Sequence, residues 1–506
     1  MQNFNPFEEK PIPFDKVYMD WNTMYPQSYN KMTVNAYTKT RIILMNGTEF
    51  EAQWFTRNFS RHCPDNDLRR ELACLRRSEQ QQQKRIACLK PMDETILEHT
   101  IGYEQLAVDL TAVLAQNEPD CNVKNALDFA LLEDFDHLYR YSNLLDLEYG
   151  VCPEKLVGGY TEIMPARPTI SEHRAPKDSI FRYVNNKTAD LRTKLHINII
   201  TAAEQQTMNY YMNIAPFYCK SDIGRRLYQE IAMIEEEHVT QYESLKDTRA
   251  TWLEDLLMHE YTECYLYYSC MMTECDSRIR RIWEECLVQE IAHLHKAKDL
   301  LAQYENKDWQ QVISCGTFPE VLKLGPNIEY VRDIIRTTTG NTQLCEDIVP
   351  LHQLPRNADF FWWQNLVNHD VNCVASHRII EEYIRYRGRD YRYEVAPNPL
   401  EELRNRRRDN TSLARIPEAT PVSSTVAGRT VDCKEECMSG HMEEFNQNYM
   451  NDHMMNERQM SNRRMEDCRN DRMMEGRQME DCRNDRQMNN RRMEGNRSDC
   501  NCMKRP

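Results

Sequence analysis

The chain has 506 residues and a formal net charge of −15, enough length for two or three domains and a sizeable core, and its acidic balance argues against nucleic-acid binding. No run of about 18 apolar residues occurs, so no segment is expected to span a membrane. The start, "MQNFNPFEEKPIPFDK", has neither a basic lead nor an apolar stretch, so it does not read as a secretory signal, and a cytoplasmic location is the expectation.

In chain order, residues 1–60 are rich in Pro, Asn, Tyr and Trp and read as irregular, suited to wrapping a partner surface. Residues 65–90 read as a polar helix stopped by Pro91, which makes 1–90 an N-terminal extension. Residues 91–150 hold a helical pair, roughly 92–116 and 124–147, divided by the turn-forming "NEPDCN". Residues 151–190 carry prolines and glycines and read as a long loop. Long amphipathic helices fill 191–305. Residues 306–400 read as shorter helices and irregular chain, with "DFFWWQ" expected to enter a core.

From 401 to 506 the composition turns to Met, Asn, Arg, Asp and Cys, and "MEDCRNDRMM" at 465–474 returns as "MEDCRNDRQM" at 479–488. So little apolar surface cannot offset the entropy of ordering, and the stretch reads as a disordered tail. Its thiols, Cys468, Cys482, Cys500 and Cys502, suit cross-linking or soft-metal binding, or are incidental. The other cysteines, such as Cys63, Cys74, Cys88, Cys121 and Cys152, stand singly without CxxC spacing and are expected to be buried small residues or free thiols.

The chemistry is carried by the helices of 191–305. In "IEEEHVTQYE" (234–243), Glu235 and His238 continue the apolar seam Leu227, Ile231, Ile234, Tyr242, Leu245, while Glu236 and Glu237 fall toward solvent. A carboxylate and an imidazole buried one turn apart are costly unless paired or coordinated. The arrangement recurs: Glu290 and His293 lie on the seam Ile279, Ile282, Cys286, Ala297, Leu300. One helix upstream of each pair stands another seam acid. Glu204 precedes Glu235 by 31 residues and Glu260 precedes Glu290 by 30. Two antiparallel helices joined by a short turn bring such positions level. Four carboxylates and two histidines would then converge, the inventory for two iron or two manganese ions.

This E…ExxH…E…ExxH pattern over 191–305 resembles the ferritin-like superfamily, whose bundles use it, as rubrerythrins and manganese catalases do. The resemblance implies an all-α, ferritin-like four-helix bundle with Glu204, Glu235, His238, Glu260, Glu290 and His293 as metal ligands. Glu263, one turn past Glu260, would be a seventh group. It departs from rubrerythrins in lacking rubredoxin-like CxxC pairs. A third copy, Glu104 followed 30 residues later by Asp134 and then His137, is half a site. It is a degenerate repeat, a half completed by a second subunit, or an additional helical pair packed on the bundle, and a satisfied core Asp–His pair is the plainer reading.

Two functions follow from the resemblance. The first is a peroxide- or dioxygen-consuming oxidoreductase, of peroxidase or catalase type. The second is a non-catalytic metal-binding or structural protein, homo-oligomeric or assembled through its cross-linkable tail, as in a spore coat.

Overall fold

The computed structural model describes residues 4–388, 390, 393–404 and 407–413. Among them the chain is predominantly helical: α1 (Ala36–His62), α2 (Asn66–Ala87), α3 (Ile96–Asn117), α4 (Cys121–Tyr149), α5 (Pro153–Leu156), α6 (Leu191–Ile214), α7 (Asp222–Ser244), α8 (Trp252–Thr273), α9 (Ser277–Glu305), α10 (Ile328–Thr338), α11 (Asp359–Val367) and α12 (Ala375–Arg387). Its described strands form one antiparallel hairpin, β1 (Asn341–Leu344) with β2 (Asp347–Pro350). No described helix is long and apolar enough to cross a membrane.

Eight of these helices form four hairpins, α1–α2, α3–α4, α6–α7 and α8–α9. Helix starts are written in the sequence. Asp65, Thr95, Asp120, Ser221, Thr251 and Asp276 each accept a backbone N–H of the first turn, and Thr95–Glu98 and Thr251–Glu254 close full capping boxes.

The hairpins assemble into two groups. The inner group pairs α3–α4 with α6–α7; the outer group pairs α1–α2 with α8–α9. Helix α1 also lies on α3 and α6, and α6 touches α8, so the groups share a packed boundary. This corrects the expectation of one bundle over 191–305. Its two hairpins turn to different partners, because all four hairpins offer similar inward stripes and only tertiary packing chooses among them.

Residues 1–60 are likewise not all irregular, since α1 begins at Ala36 behind the cap Asn35. Even Lys39 and Arg41 of α1 are buried, with Arg41 3.4 Å from Glu274. From Ala36 to Met45 every residue of α1 is buried, so this part shows no amphipathic stripe, which hid it in the sequence. Ahead of it, the irregular segment wraps its own chain: Phe7 stacks on Trp309 at 3.8 Å, Phe4 on Tyr268 at 4.6 Å, and Gln289 donates to the Val17 carbonyl.

The long connection 151–190 is buried along 161–175. Glu237, expected in solvent, lies buried with Arg174 at 3.4 Å. The "DFFWWQ" stretch forms α11 and places only Phe360 fully inside, in a small cluster with Leu351, Leu354 and Ala358, while Trp362 is exposed. All thirteen described cysteines are free, and four of them, Cys63, Cys264, Cys270 and Cys286, are buried. Packing continues past residue 401, because Arg140 holds Asp409 at 2.5 Å and Asn410 at 2.9 Å. The remainder of the tail read as disordered lies outside the described residues.

Candidate metal centres

Each hairpin puts one acid on its first helix level with an acid on its second. In the inner group, α3 supplies Glu104, α4 supplies Asp134 and His137, α6 supplies Glu204, and α7 supplies Glu235 and His238. All six are at most 1 % exposed. Two ligand sets form and share Glu235: Glu104, His137 and Glu235, and Asp134, Glu204, Glu235 and His238, with candidate ligand atoms of each set within 4.8 Å of one another.

Both histidines turn Nδ1 inward. His137 Nδ1 lies 3.0 Å from Glu235 Oε1 and 4.0 Å from Glu104. His238 Nδ1 lies 3.2 Å from Glu235 Oε2, 3.3 Å from Asp134 and 3.7 Å from Glu204. Both turn Nε2 outward to a carboxylate: His137 to Glu172 at 3.0 Å, His238 to Glu133 at 2.8 Å. An outer carboxylate of this kind fixes the tautomer and ring direction of a metal-binding histidine.

The outer carboxylates are themselves held. Arg167 and Arg174 both donate to Glu133. Asp136 accepts the backbone N–H and hydroxyl of Thr169, which anchors the turn carrying Glu172. So one run on α4, Glu133 to His137, serves the centre and its surroundings together.

The outer group repeats the plan. Glu49 on α1 precedes Glu79 on α2 by 30 residues, and α8 and α9 supply Glu260, Glu263, Glu290 and His293, all buried. The two ligand sets here are Glu79, Glu260, Glu290 and His293, and Glu49, Glu79 and Glu263, joined by Glu79. His293 Nδ1 is 2.9 Å from Glu79, 3.2 Å from Glu290 and 3.9 Å from Glu260.

The six ligands expected at one centre therefore lie in two. Glu204, Glu235 and His238 meet Glu104, Asp134 and His137; Glu260, Glu290, His293 and Glu263 meet Glu49 and Glu79. The third copy is thus no isolated core pair and needs no second subunit, because α6–α7 completes it within the same chain. Sequence reasoning missed Glu49 and Glu79, although their 30-residue spacing was present, because Gln82 stands where a histidine was sought. Glu133, Glu172, Arg167 and Arg174 carry no spacing signal, since each reaches the site from another element than the residue it supports.

Burial dominates the electrostatics. It pushes the carboxyls of Glu104, Asp134, Glu204, Glu49, Glu260 and Glu263 up, with neighbouring carboxylates adding to the effect. Burial also raises Glu172, to about 8, against the attraction of His137. Glu235 goes the other way, down to about 2, because both histidines bond to it and overcome burial. Burial alone would lower His137, His238 and His293; the surrounding carboxylates raise all three.

Yet many acid oxygens have no hydrogen bond: both of Asp134, Glu204, Glu79, Glu260 and Glu263, and one each of Glu104, Glu235 and Glu49. Buried polar atoms left unmatched are costly and uncommon, and here they converge. Cations would satisfy them, so the residues present fit metal ions. Comparison of the chain with protein-family models, curated proteins and solved structures returns no significant match.

Proposed function

We propose that the inner group is a ferritin-like centre for two iron or two manganese ions and that the protein is an oxidoreductase acting on peroxide or dioxygen. The observation that carries this reading is Glu235, whose two oxygens face the inward Nδ1 atoms of two different histidines. With Glu172 and Glu133 taking the Nε2 protons, both Nδ1 lone pairs are free to coordinate once their own protons leave.

Glu104 and His137 would hold one ion and Asp134, Glu204 and His238 the other, with Glu235 common to both sets. Such a pair supplies two-electron exchange, each ion changing by one electron. The chain's own part is positioning and exclusion. Ligands at most 1 % exposed keep out bulky substrates, which favours species as small as peroxide or dioxygen. Tyr211 donates to Glu104 at 2.5 Å, placing a phenolic proton beside the centre. Carboxylate and imidazole ligands suit iron and manganese alike.

Metal analysis of the purified full chain tests the reading. Glu235→Ala with His238→Ala is expected to lose two Fe or Mn per chain and to lose peroxide consumption. Peroxide consumption unchanged in that variant would refute it. Oxygen evolution separates catalase from peroxidase chemistry.

A further inference from the structure

The outer group differs from the inner one at two positions, and the differences compensate. Gln82 stands three residues after Glu79, where the inner group has His137 three after Asp134. Its Nε2 donates to Glu290 at 2.5 Å, while its Oε1 is buried without a partner. Glu263 stands three after Glu260, where the inner group has Thr207, whose hydroxyl merely bonds its own helix at Ala203. An imidazole is thereby exchanged for a carboxylate.

The orphaned oxygens are distributed accordingly. Glu79, Glu260 and Glu263 have neither oxygen hydrogen-bonded, and Glu49 has one that is not. Glu79 lies within reach of His293 Nδ1, but that N–H is taken by Glu290. Unlike its inner counterparts, His293 has an Nε2 with no hydrogen-bond partner, and the Phe14 ring lies 5.8 Å away.

We propose that the outer group is a second two-ion site with unequal positions. One, at His293, Glu260, Glu290 and Glu79, takes a transition-metal ion. The other, at Glu49, Glu79 and Glu263, has oxygen ligands alone and takes a hard divalent cation. Oxygen-only sets suit Mn²⁺, Mg²⁺ or Ca²⁺, whereas imidazole strengthens binding of iron and zinc. The inner group has four carboxylates, which two divalent ions neutralise. The outer group has five, so it retains one negative charge or one proton when similarly filled.

The test uses the full-length protein, stripped with chelator and dialysed against Mn²⁺ alone, a hard ion that the tail thiols bind poorly. The wild type is expected to hold four Mn²⁺, Glu235→Ala/His238→Ala two, and near-isosteric Glu263→Gln three. Glu49→Gln, which still accepts from Tyr267, is a second variant for the same loss should Glu263→Gln fold poorly by circular dichroism. A wild-type count of two that falls to zero in the Glu235/His238 variant overturns the outer site and leaves the inner reading standing. A count of two that survives that variant supports the outer site and sinks the inner one. Equal counts in wild type, Glu263→Gln and Glu49→Gln overturn the oxygen-only position.

Discussion

At the residue scale, Glu133 does not belong to the inner ligand sets, yet it receives His238 Nε2, while Arg167 and Arg174 hold its carboxyl well below the ordinary range despite burial. Glu133→Gln is expected to weaken Mn²⁺ binding at the inner group by about 10- to 100-fold. It should also cost about 3–5 kcal/mol in the ion-free protein, because buried Arg167 loses its paired carboxylate and Arg174 keeps only Glu237. A metal titration and a urea melt measure the two effects separately. Asp109, on α3 away from the ligands, makes a pH prediction. Burial raises its carboxyl to about 7, only partly offset by bonds from Thr161, Asn327 and Tyr37. Because the folded chain binds this proton more tightly than the unfolded one, the contribution is fully present below about pH 4 and is lost as pH rises to 7. Asp109→Asn should remove about 4 kcal/mol of that decline, read as a flatter curve of unfolding free energy between pH 4 and 7.

At the element scale, α1 is the seam between the two groups. A Cβ at Gly47 would meet Gln206 Cβ at 2.9 Å and the Ala202 carbonyl at 3.3 Å on α6, and one at Gly102 of α3 would meet Ile43 of α1 at 3.0 Å. Glycine inside a helix is tolerated where a neighbouring backbone comes this near. Gly47→Ala adds a methyl group against the α6 backbone and is expected to destabilise the protein by about 1–3 kcal/mol, although alanine is the better helix former. Chemical denaturation decides, since a gain in stability would mean that α1 and α6 can separate without loss. The 30- and 31-residue spacings were legible at this scale because they depend only on helix length and turn. Helix α1 was not, and with it went half of the outer group.

At the scale of the whole molecule, the hairpins are nested: outer, inner, inner, outer along the chain. Glu79 and Glu290 meet although 211 residues separate them, so the outer ligands come together only when the first and last of these hairpins close around the middle pair. Ions that bind the folded state alone stabilise it by about 4 kcal/mol each when present at a thousandfold over Kd. Chelator treatment is therefore expected to lower Tm, and Mn²⁺ to restore it. In Glu235→Ala/His238→Ala, Mn²⁺ should restore part of the difference through the outer group. A calorimetric scan showing no Mn²⁺-dependent rise in that variant would contradict two separately loaded centres.

By itself the sequence determined three of the four helical hairpins and the acid or histidine that each of them turns inward, because those features follow from 3.6-residue periodicity and local turn chemistry. It showed Glu104, Asp134 and His137 as half a site, with a satisfied core Asp–His pair as the plainer reading. Which half joined which was decided only by tertiary structure. Four hairpins with similar inner faces satisfy burial in more than one pairing, and the choice rests on contacts that no local pattern encodes: Gly47 against α6, Arg174 reaching Glu133 from a buried loop, and Gln82 meeting Glu290 across the outer group.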